Sequence, residues 1–161
     1  MIREFTGDGE RLDMLLSQQQ RAYFYALQTY MSALKQRNAL LKQGDFRQLP
    51  AWDEQLAIAA APVVRLRRSA CEALHAKARN HYFYIGGREE EIFSLKYSGC
   101  LAESENISED MLKGLQACRG EDLRRMTTCY GPHRDELDLS LCGVALKSFG
   151  SQGQMRTAAL S

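Results

Sequence analysis

The sequence lacks any apolar run approaching the ~20 residues that a bilayer-spanning helix needs, and its N-terminus has no apolar signal-peptide core. It also lacks a strong charge of either sign, since 21 Lys and Arg stand against 20 Asp and Glu for a net charge of +1. These absences predict a cytoplasmic protein with no membrane partner. Any nucleic-acid binding must depend on local basic patches.

Motifs for metal binding and covalent catalysis are absent too. The cysteines are odd in number and contain no C-x-x-C pair; they are Cys71, Cys100, Cys118, Cys129 and Cys142. We expect thiols in a reducing compartment, not a disulfide framework or a zinc site. No G-x-S-x-G elbow occurs, and no serine, histidine and acid combination indicates a triad. No catalytic or metal-binding residue is therefore predicted.

A phosphate-binding loop of the G-x-x-x-x-G-K-[ST] type is missing, so the chain cannot bind a nucleoside triphosphate by that loop. No buried apolar strand ends in the paired acids that would hold magnesium and align water. Any nucleotide site must therefore be completed by other residues or by another chain.

The residues that are present predict a helix from about residue 21 to 43. Positions on one side recur at spacings of three and four: Leu27, Tyr30, Met31, Leu34, Asn38 and Leu41. We assign Lys35, Arg37 and Lys42 to a polar face. Gly44 and Asp45 should end the helix.

A second helix follows, with Pro50 in its first turn. Its apolar seam steps by three and four and consists of Trp52, Leu56, Ala59, Val63, Leu66 and Ala70. The helix should continue to Tyr82, with a kink at Pro62. Two long helices with a short link predict an antiparallel helical hairpin lobe over residues 21–84, after a lead-in segment over residues 1–20.

The hydrophobic period changes near residue 85. Alternation over residues 93–97 predicts a strand, and a helix should begin at Ser108, weakened by Gly114 and Gly120.

Further strands are expected towards the C-terminus. A short one is predicted over residues 127–130 and a clearer one over 137–141. Cys142-Gly143 should make a tight turn so that residues 144–146 pair back as a hairpin. The chain is therefore predicted to be an α+β fragment, with residues 85–161 forming a second part.

The last stretch predicts the start of another helix. Ser151 and Gln154 fit the S-x-x-Q capping box, and Gly153 leaves the backbone open to close approach. A helix N-terminus suits an anion such as phosphate, although these residues alone slightly favour an ordinary capped helix. Since Ser161 comes fewer than three helical turns after Ser151, we expect the chain to be cut from a longer polypeptide.

Two clusters are candidates for contact with phosphate or DNA. Over residues 65–79 the second helix carries five basic residues against Glu72 alone: Arg65, Arg67, Arg68, Lys77 and Arg79. The commoner explanation of such a run, a solvated helix face, is favoured about two to one. Tyr82, Phe83 and Tyr84 are able to stack on bases, but a core role is favoured.

The second cluster is the turn Gly131-Pro132-His133-Arg134-Asp135-Glu136. Its His, Arg and Asp side chains could act on phosphate or orient a water. A lone histidine in a loop is, however, usually a surface residue.

Together these residues resemble the RecF family of recombination-mediator ATPases, related to the SMC and Rad50 group. The matches run through most of the chain in family order. They are Leu12-Asp13, Leu34 to Gln43 with its K-Q-R-N run, Trp52 to Leu56, Val64 to Arg68, Gly131 to Leu137, and Gly150 to Gln154.

The resemblance implies an ABC-type ATPase head, of which this chain holds short strands, a β-hairpin and the start of the signature helix, interrupted by the hairpin lobe. It implies that Ser151, Gln152, Gly153 and Gln154 form the signature motif, which meets ATP held by the opposite subunit and couples it to homodimerisation. The implied function is ATP-dependent binding at single-strand gaps with RecO and RecR, in DNA repair, replication and the SOS response.

The chain also departs from the family pattern. The Walker A loop is absent, Walker B should follow Ser161, the magnesium ligands of the full-length family are not expected in this chain, and Cys142-Gly143 replaces the usual Asn-Gly turn. Residues 1–9 match nothing in the family. We therefore expect the chain alone not to hydrolyse ATP. The alternative function is a non-enzymatic helical-hairpin module for protein interaction.

Overall fold

The computed structural model describes residues 8–44, 46–85, 93–141 and 144–145. Helices dominate this part of the chain. In order, the elements are α1 (Asp8–Gln19), α2 (Arg21–Gln43), α3 (Leu49–Ile85), β1 (Phe93–Ser98), α4 (Ile107–Ala117), α5 (Arg119–Arg125), β2 (Glu136–Leu141) and β3 (Val144–Ala145), with a 3-10 turn at Pro132–Arg134 before β2. The predicted α+β class is confirmed.

The two long helices have the predicted antiparallel relationship. Tyr23 of α2 meets Arg67 of α3, and Arg37, farther along α2, meets Asp53 nearer the start of α3. Gly44 ends α2 in the left-handed conformation with φ 74°, and its N–H donates to the Leu40 carbonyl. A glycine is favoured there because a Cβ is strained at positive φ.

Helix α3 begins one residue before Pro50, as the first-turn preference of proline predicts. It continues as one helix through Pro62, which is exposed. The predicted seam is buried at Leu56, Ala59, Val63 and Ala70, whereas Trp52 and Leu66 are partly exposed. The hairpin core therefore follows the predicted spacing of three and four.

Helix α1 lies in the segment for which the sequence analysis predicted no element. Its Leu12 and Leu16 are buried at a spacing of four, and α1 packs against α2.

The segment that follows β1 contains two helices where the sequence predicted one. α4 and α5 are separated at Cys118, and the strand predicted over residues 127–130 is not formed. Instead the Tyr130 ring lies against the α4 backbone at Gly114, where a Cβ would come within 2.1 Å of the ring. Gly114 thus makes room for a side chain, at the cost of weaker helix propensity.

The strands form one sheet in the order β1-β2-β3. β2 and β3 are antiparallel, with Ser140 opposite Ala145 and Leu141 opposite Val144, so the predicted hairpin is confirmed at these positions. The turn at Cys142-Gly143 lies outside the described residues, as does the helix start predicted at Ser151.

The chain divides into two compact units. The first lies within the ranges Met1–Arg67 and Gly99–Glu136, and the second lies within the ranges Arg68–Ser98 and Leu137–Ser161. The organisation predicted over residues 1–20, 21–84 and 85–161 stays a prediction. The 99–136 segment joins the first unit because arginines of the hairpin, described below, pair with it.

Candidate functional site

The centre of the first unit is a buried ion network around Arg37. The Arg37 side chain is 0% exposed. Its Nε donates to Asp53 Oδ1 at 2.7 Å, and its Nη1 lies 2.7 Å from Asp122 Oδ2. Arg119 Nη2 lies 2.5 Å from the other Asp53 oxygen. Arg37 therefore links both hairpin helices to α5.

Thr128 extends this network to the loop before the Gly131 turn. Arg37 Nη1 donates to Thr128 Oγ1 at 2.8 Å. The Thr128 N–H and hydroxyl both donate to Asn38 Oδ1, at 2.8 and 2.7 Å. Asp122 Oδ1 accepts the Cys129 N–H at 2.8 Å. Asn38 of the K-Q-R-N run and Asp122 of α5 thus accept two backbone N–H groups that a strand ladder would otherwise have paired.

The assignment of Arg37 to a polar face was wrong. Its position falls three residues after Leu34 and four before Leu41, on the buried stripe. A charge there is stable because two carboxylates and a hydroxyl face it. Met31, predicted on the apolar side, is instead 49% exposed.

A second buried arginine, Arg67, holds the turn itself. It is 3% exposed. Its Nη2 lies 2.8 and 2.9 Å from the two Asp13 oxygens, its Nε donates to the Tyr23 hydroxyl at 3.0 Å, and its Nη1 donates to the Pro132 carbonyl at 2.6 Å. Tyr23 also donates to Asp13. Burial raises the pKa of Tyr23, so the phenol stays neutral.

His133 lies beside Arg67 with both ring nitrogens in use. Nε2 is 3.0 Å from the Thr128 carbonyl, which only accepts, so Nε2 carries the proton. Nδ1 is 2.7 Å from the Tyr30 hydroxyl, which therefore donates to a neutral ring. Burial lowers the pKa of His133 and raises that of Tyr30, which favours this protonation state. A phosphate contact by His133 would require one of these bonds to break.

Glycines allow the turn to approach its surroundings closely. Gly131 has φ 131°, and a Cβ there would lie 2.7 Å from both Met111 Cε and the Tyr30 hydroxyl. Asp135 is buried against Gly99, and Cys100 Sγ is 3.9 Å from its carboxylate. The pKa of the Cys100 thiol is raised, mainly by partial burial and secondly by the negative charge of the Asp135 carboxylate.

The remaining candidate cations differ in accessibility. Arg65 and Arg134 are exposed, whereas Arg68 is half-buried. The guanidinium of Arg67 is directed to Asp13 and Pro132, away from solvent. Lys77 of the same basic cluster is exposed as well, and Arg134 Nη2 donates to the Thr128 carbonyl at 3.5 Å. Contacts of these residues with DNA stay predictions.

Other predicted site residues fall outside the described part of the chain. They are Ser151, Gln152, Gly153 and Gln154, and the side chains of Tyr82, Phe83 and Tyr84. Among the residues that the structure describes, no group of three or more His, Cys, Asp or Glu side chains is arranged to hold a metal ion. In the same ranges, no helix is both long and apolar enough to cross a membrane.

No family model matches the chain. The curated protein named DNA replication and repair protein RecF from Gloeobacter violaceus is 38% identical over 161 residues, and its namesake from Trichlorobacter lovleyi is 39% identical over 153 residues. Each match covers 93% of this chain. A solved structure of the recombination mediator protein RecF-ATP in the RecFOR pathway superimposes with a TM-score of 0.86 and 28% identity, over 94% of this chain.

The chain matches a segment of RecF-family proteins in sequence and in fold. It spans 42% of the Gloeobacter violaceus protein and 43% of the solved RecF chain. The resemblance predicted from the motifs is confirmed, and the α+β architecture is that of the solved RecF proteins.

The RecF-like motifs meet in the network described above. Asp13 pairs with Arg67, Arg37 pairs with Asp53, and the Pro132 carbonyl accepts from Arg67. The sequence analysis identified these motifs separately and did not predict the contacts between them. The detectable signal was one arginine on each buried stripe, together with Asp13 and Asp53 elsewhere in the chain.

Proposed function

We propose that this RecF-family segment is part of an ATP-dependent, DNA-binding recombination mediator. The complete protein would act at single-strand gaps in DNA repair, replication and the SOS response, with RecO and RecR as partners. The observation that carries the proposal is the match to RecF-ATP over 94% of this chain at a TM-score of 0.86.

The role of this segment would be to supply the signature motif. In the proposed ATP-bound homodimer, the Ser151 hydroxyl and the Gly153 backbone contact the terminal phosphate of ATP held by the opposite subunit. A helix N-terminus with a small residue suits such a contact. The phosphate loop and the magnesium ligands would come from segments outside this sequence, so we expect this chain alone to leave ATP unhydrolysed.

The buried network would have a supporting role. Arg67 and Tyr30 fix the Gly131–Asp135 turn through the Pro132 carbonyl and the His133 ring. Arg65 and Arg134 remain exposed and are the proposed phosphate contacts. In this proposal the buried Arg67 stabilises the fold, and the exposed Arg65 and Arg134 bind DNA.

Arg65→Ala tests the DNA-binding part of the proposal. Binding of gapped DNA, followed by fluorescence anisotropy over a series of salt concentrations, should weaken similarly for all sequences. The slope of log K against log salt should fall by about 0.7 to 0.9, the values per phosphate for single-stranded and duplex DNA, because the variant neutralises one phosphate fewer. Glu54→Ala, which removes an exposed acid from the same helix, is the control and should leave the slope or raise it.

An unchanged slope in Arg65→Ala would assign Arg65 to a solvated surface. Absence of any DNA binding by the complete protein would favour the alternative, a helical-hairpin module that binds only protein.

A further inference from the structure

An open groove runs between α2 and α3 on the first unit and has a volume of about 560 Å³. Five α2 residues and three α3 residues line it: Tyr25, Gln28, Thr29, Ser32, Ala33, Trp52, Gln55 and Ala59. From Tyr25 to Ala33 the α2 wall extends about 12 Å at 1.5 Å per residue. None of these side chains belongs to the buried arginine network.

Two aromatic side chains line the groove with surface left accessible. Tyr25 is 56% exposed, and Trp52 on the opposite wall is partly exposed. Phe24, which is 43% exposed, meets Tyr25 edge to face at a ring-centroid distance of 5.6 Å. Flat aromatic faces that remain accessible are the surfaces on which unpaired bases stack, whatever their sequence.

Amide side chains lie beside these rings. Gln28 and Gln55 line opposite walls, and both are exposed. Each carries a donor and an acceptor, which suit the mixed edges of nucleobases. The Thr29 hydroxyl is already used, because it donates to the Tyr25 carbonyl at 2.9 Å.

The charge of the two helices that form the groove suits a polyanion. Helix α2 has no Asp or Glu in its 23 residues. Arg21, Lys35 and Lys42 are exposed on it, and Arg65 is exposed on α3. Over Leu49–Arg67 the exposed acid is Glu54, since Asp53 is buried against Arg37. This imbalance favours a phosphate backbone over an acidic peptide.

We propose that the α2–α3 groove binds a short stretch of single-stranded DNA, with bases stacked on Tyr25 and Trp52 and the backbone near Arg65. The inference rests on the proposed function, since it names where on the hairpin lobe the DNA would lie. It assigns Gln28 and Gln55 to base edges and adds a stacking surface to the phosphate contacts proposed above.

The chain has one tryptophan, so Trp52 fluorescence reports on the groove directly. We would titrate the chain at low salt with fluorescein-labelled oligothymidylate, following fluorescein anisotropy and Trp52 emission in the same samples. The proposal predicts that anisotropy rises and Trp52 emission is quenched at the same DNA concentrations. Tyr25→Ala should weaken binding about fivefold to a hundredfold, the range for removal of one base stack.

Two further variants make the test specific. Gln55→Glu keeps the size of the side chain and places a negative charge in the groove, so binding should weaken at least several-fold. Phe46→Ala removes an exposed aromatic residue outside the groove and should leave affinity and quenching unchanged. Circular dichroism would establish that each variant has the helical content of the parent.

A rise in anisotropy without quenching of Trp52, unaffected by Tyr25→Ala, would overturn this inference and leave the proposed function standing. No rise in anisotropy for either the chain or the complete protein would overturn both.

Discussion

At the scale of single residues, Arg37 combines full burial with two carboxylate partners. Burying a charge costs several kcal/mol unless partners replace its hydration. Asp53 and Asp122, exposed by only 1% and 0%, rely on the same guanidinium. Removal of Arg37 therefore leaves two buried carboxylates with reduced compensation.

Arg37→Met keeps most of the side-chain volume and should lower the free energy of unfolding by about 3–5 kcal/mol. Urea unfolding followed by Trp52 fluorescence measures this. Lys35→Met, at an exposed position of the same helix, is the control and should stay within about 0.5 kcal/mol of the parent. A decrease below about 1 kcal/mol in Arg37→Met would contradict the structural role of the network.

His133 should make stability depend on pH. Its folded pKa is lowered by burial, so as pH falls the unfolded chain takes up a proton first, near pH ~6.5. Stability from this group is complete above that pH and declines below it until the folded pKa is reached. The slope contributed is at most about 1.4 kcal/mol per pH unit.

His133→Gln lacks the titrating ring, so the comparison isolates this contribution. Urea unfolding at about pH 7.5 and about pH 5.5, values set about one unit on either side of the unfolded pKa, should show a smaller decrease in stability for His133→Gln than for the parent. Equal decreases would indicate that the His133 ring has the same pKa in the folded and unfolded states, which would contradict the lowering by burial.

The two buried arginines also show what residue patterns reveal and what they hide. Arg37 and Arg67 occupy buried positions of their helices, but a pattern of apolar spacing assigns charged residues to the surface by default. Their partners, Asp13, Asp53 and the Pro132 carbonyl, are distant in sequence. Only the fold brings these groups together, so their burial did not follow from spacing alone.

At the scale of elements, long periodic segments were predictable and short ones were not. Helix α2 was predicted with its observed bounds because its periodic stripe ends at a glycine. Helix α1 was missed because, among its side chains that the structure describes, the buried apolar pair Leu12 and Leu16 forms a short stripe, which α2 covers. Residues 127–130 were predicted as a strand, but Asn38 and Asp122 satisfy their backbone groups instead.

Two glycines allow a matched test of backbone conformation, one at the C-terminal end of α2 and one within the first turn of α5. Gly44 has φ 74° with no atom near its Cβ position, so Gly44→Ala should destabilise the fold by about 1–2 kcal/mol from backbone strain alone. Gly120 lies in α5 with equally open space, so Gly120→Ala should stabilise it by up to about 1 kcal/mol. Thermal or urea unfolding of both variants checks the opposite signs, and the same sign for both would contradict the helix-end assignment.

At the scale of the whole molecule, the family was recognisable from the sequence because several motifs occur in order. The network explains why they occur together, since five of the six matched segments have side chains or backbone groups in it. The sixth, Gly150 to Gln154, lies outside the described residues, so its proposed role depends on the resemblance and on the chemistry of helix N-termini.

The most direct test of the central claim is ATP-dependent dimerisation of the complete protein, with the phosphate loop and magnesium ligands joined to this chain. Sedimentation with a non-hydrolysable ATP analogue should show a dimer for the parent and a monomer for Ser151→Arg, while each still binds the analogue. Removal of a helix cap costs only ~1 kcal/mol, too little to unfold the domain, so folding should persist. A Ser151→Arg protein that still dimerises with the analogue would contradict the proposed role and leave Ser151 as a structural cap.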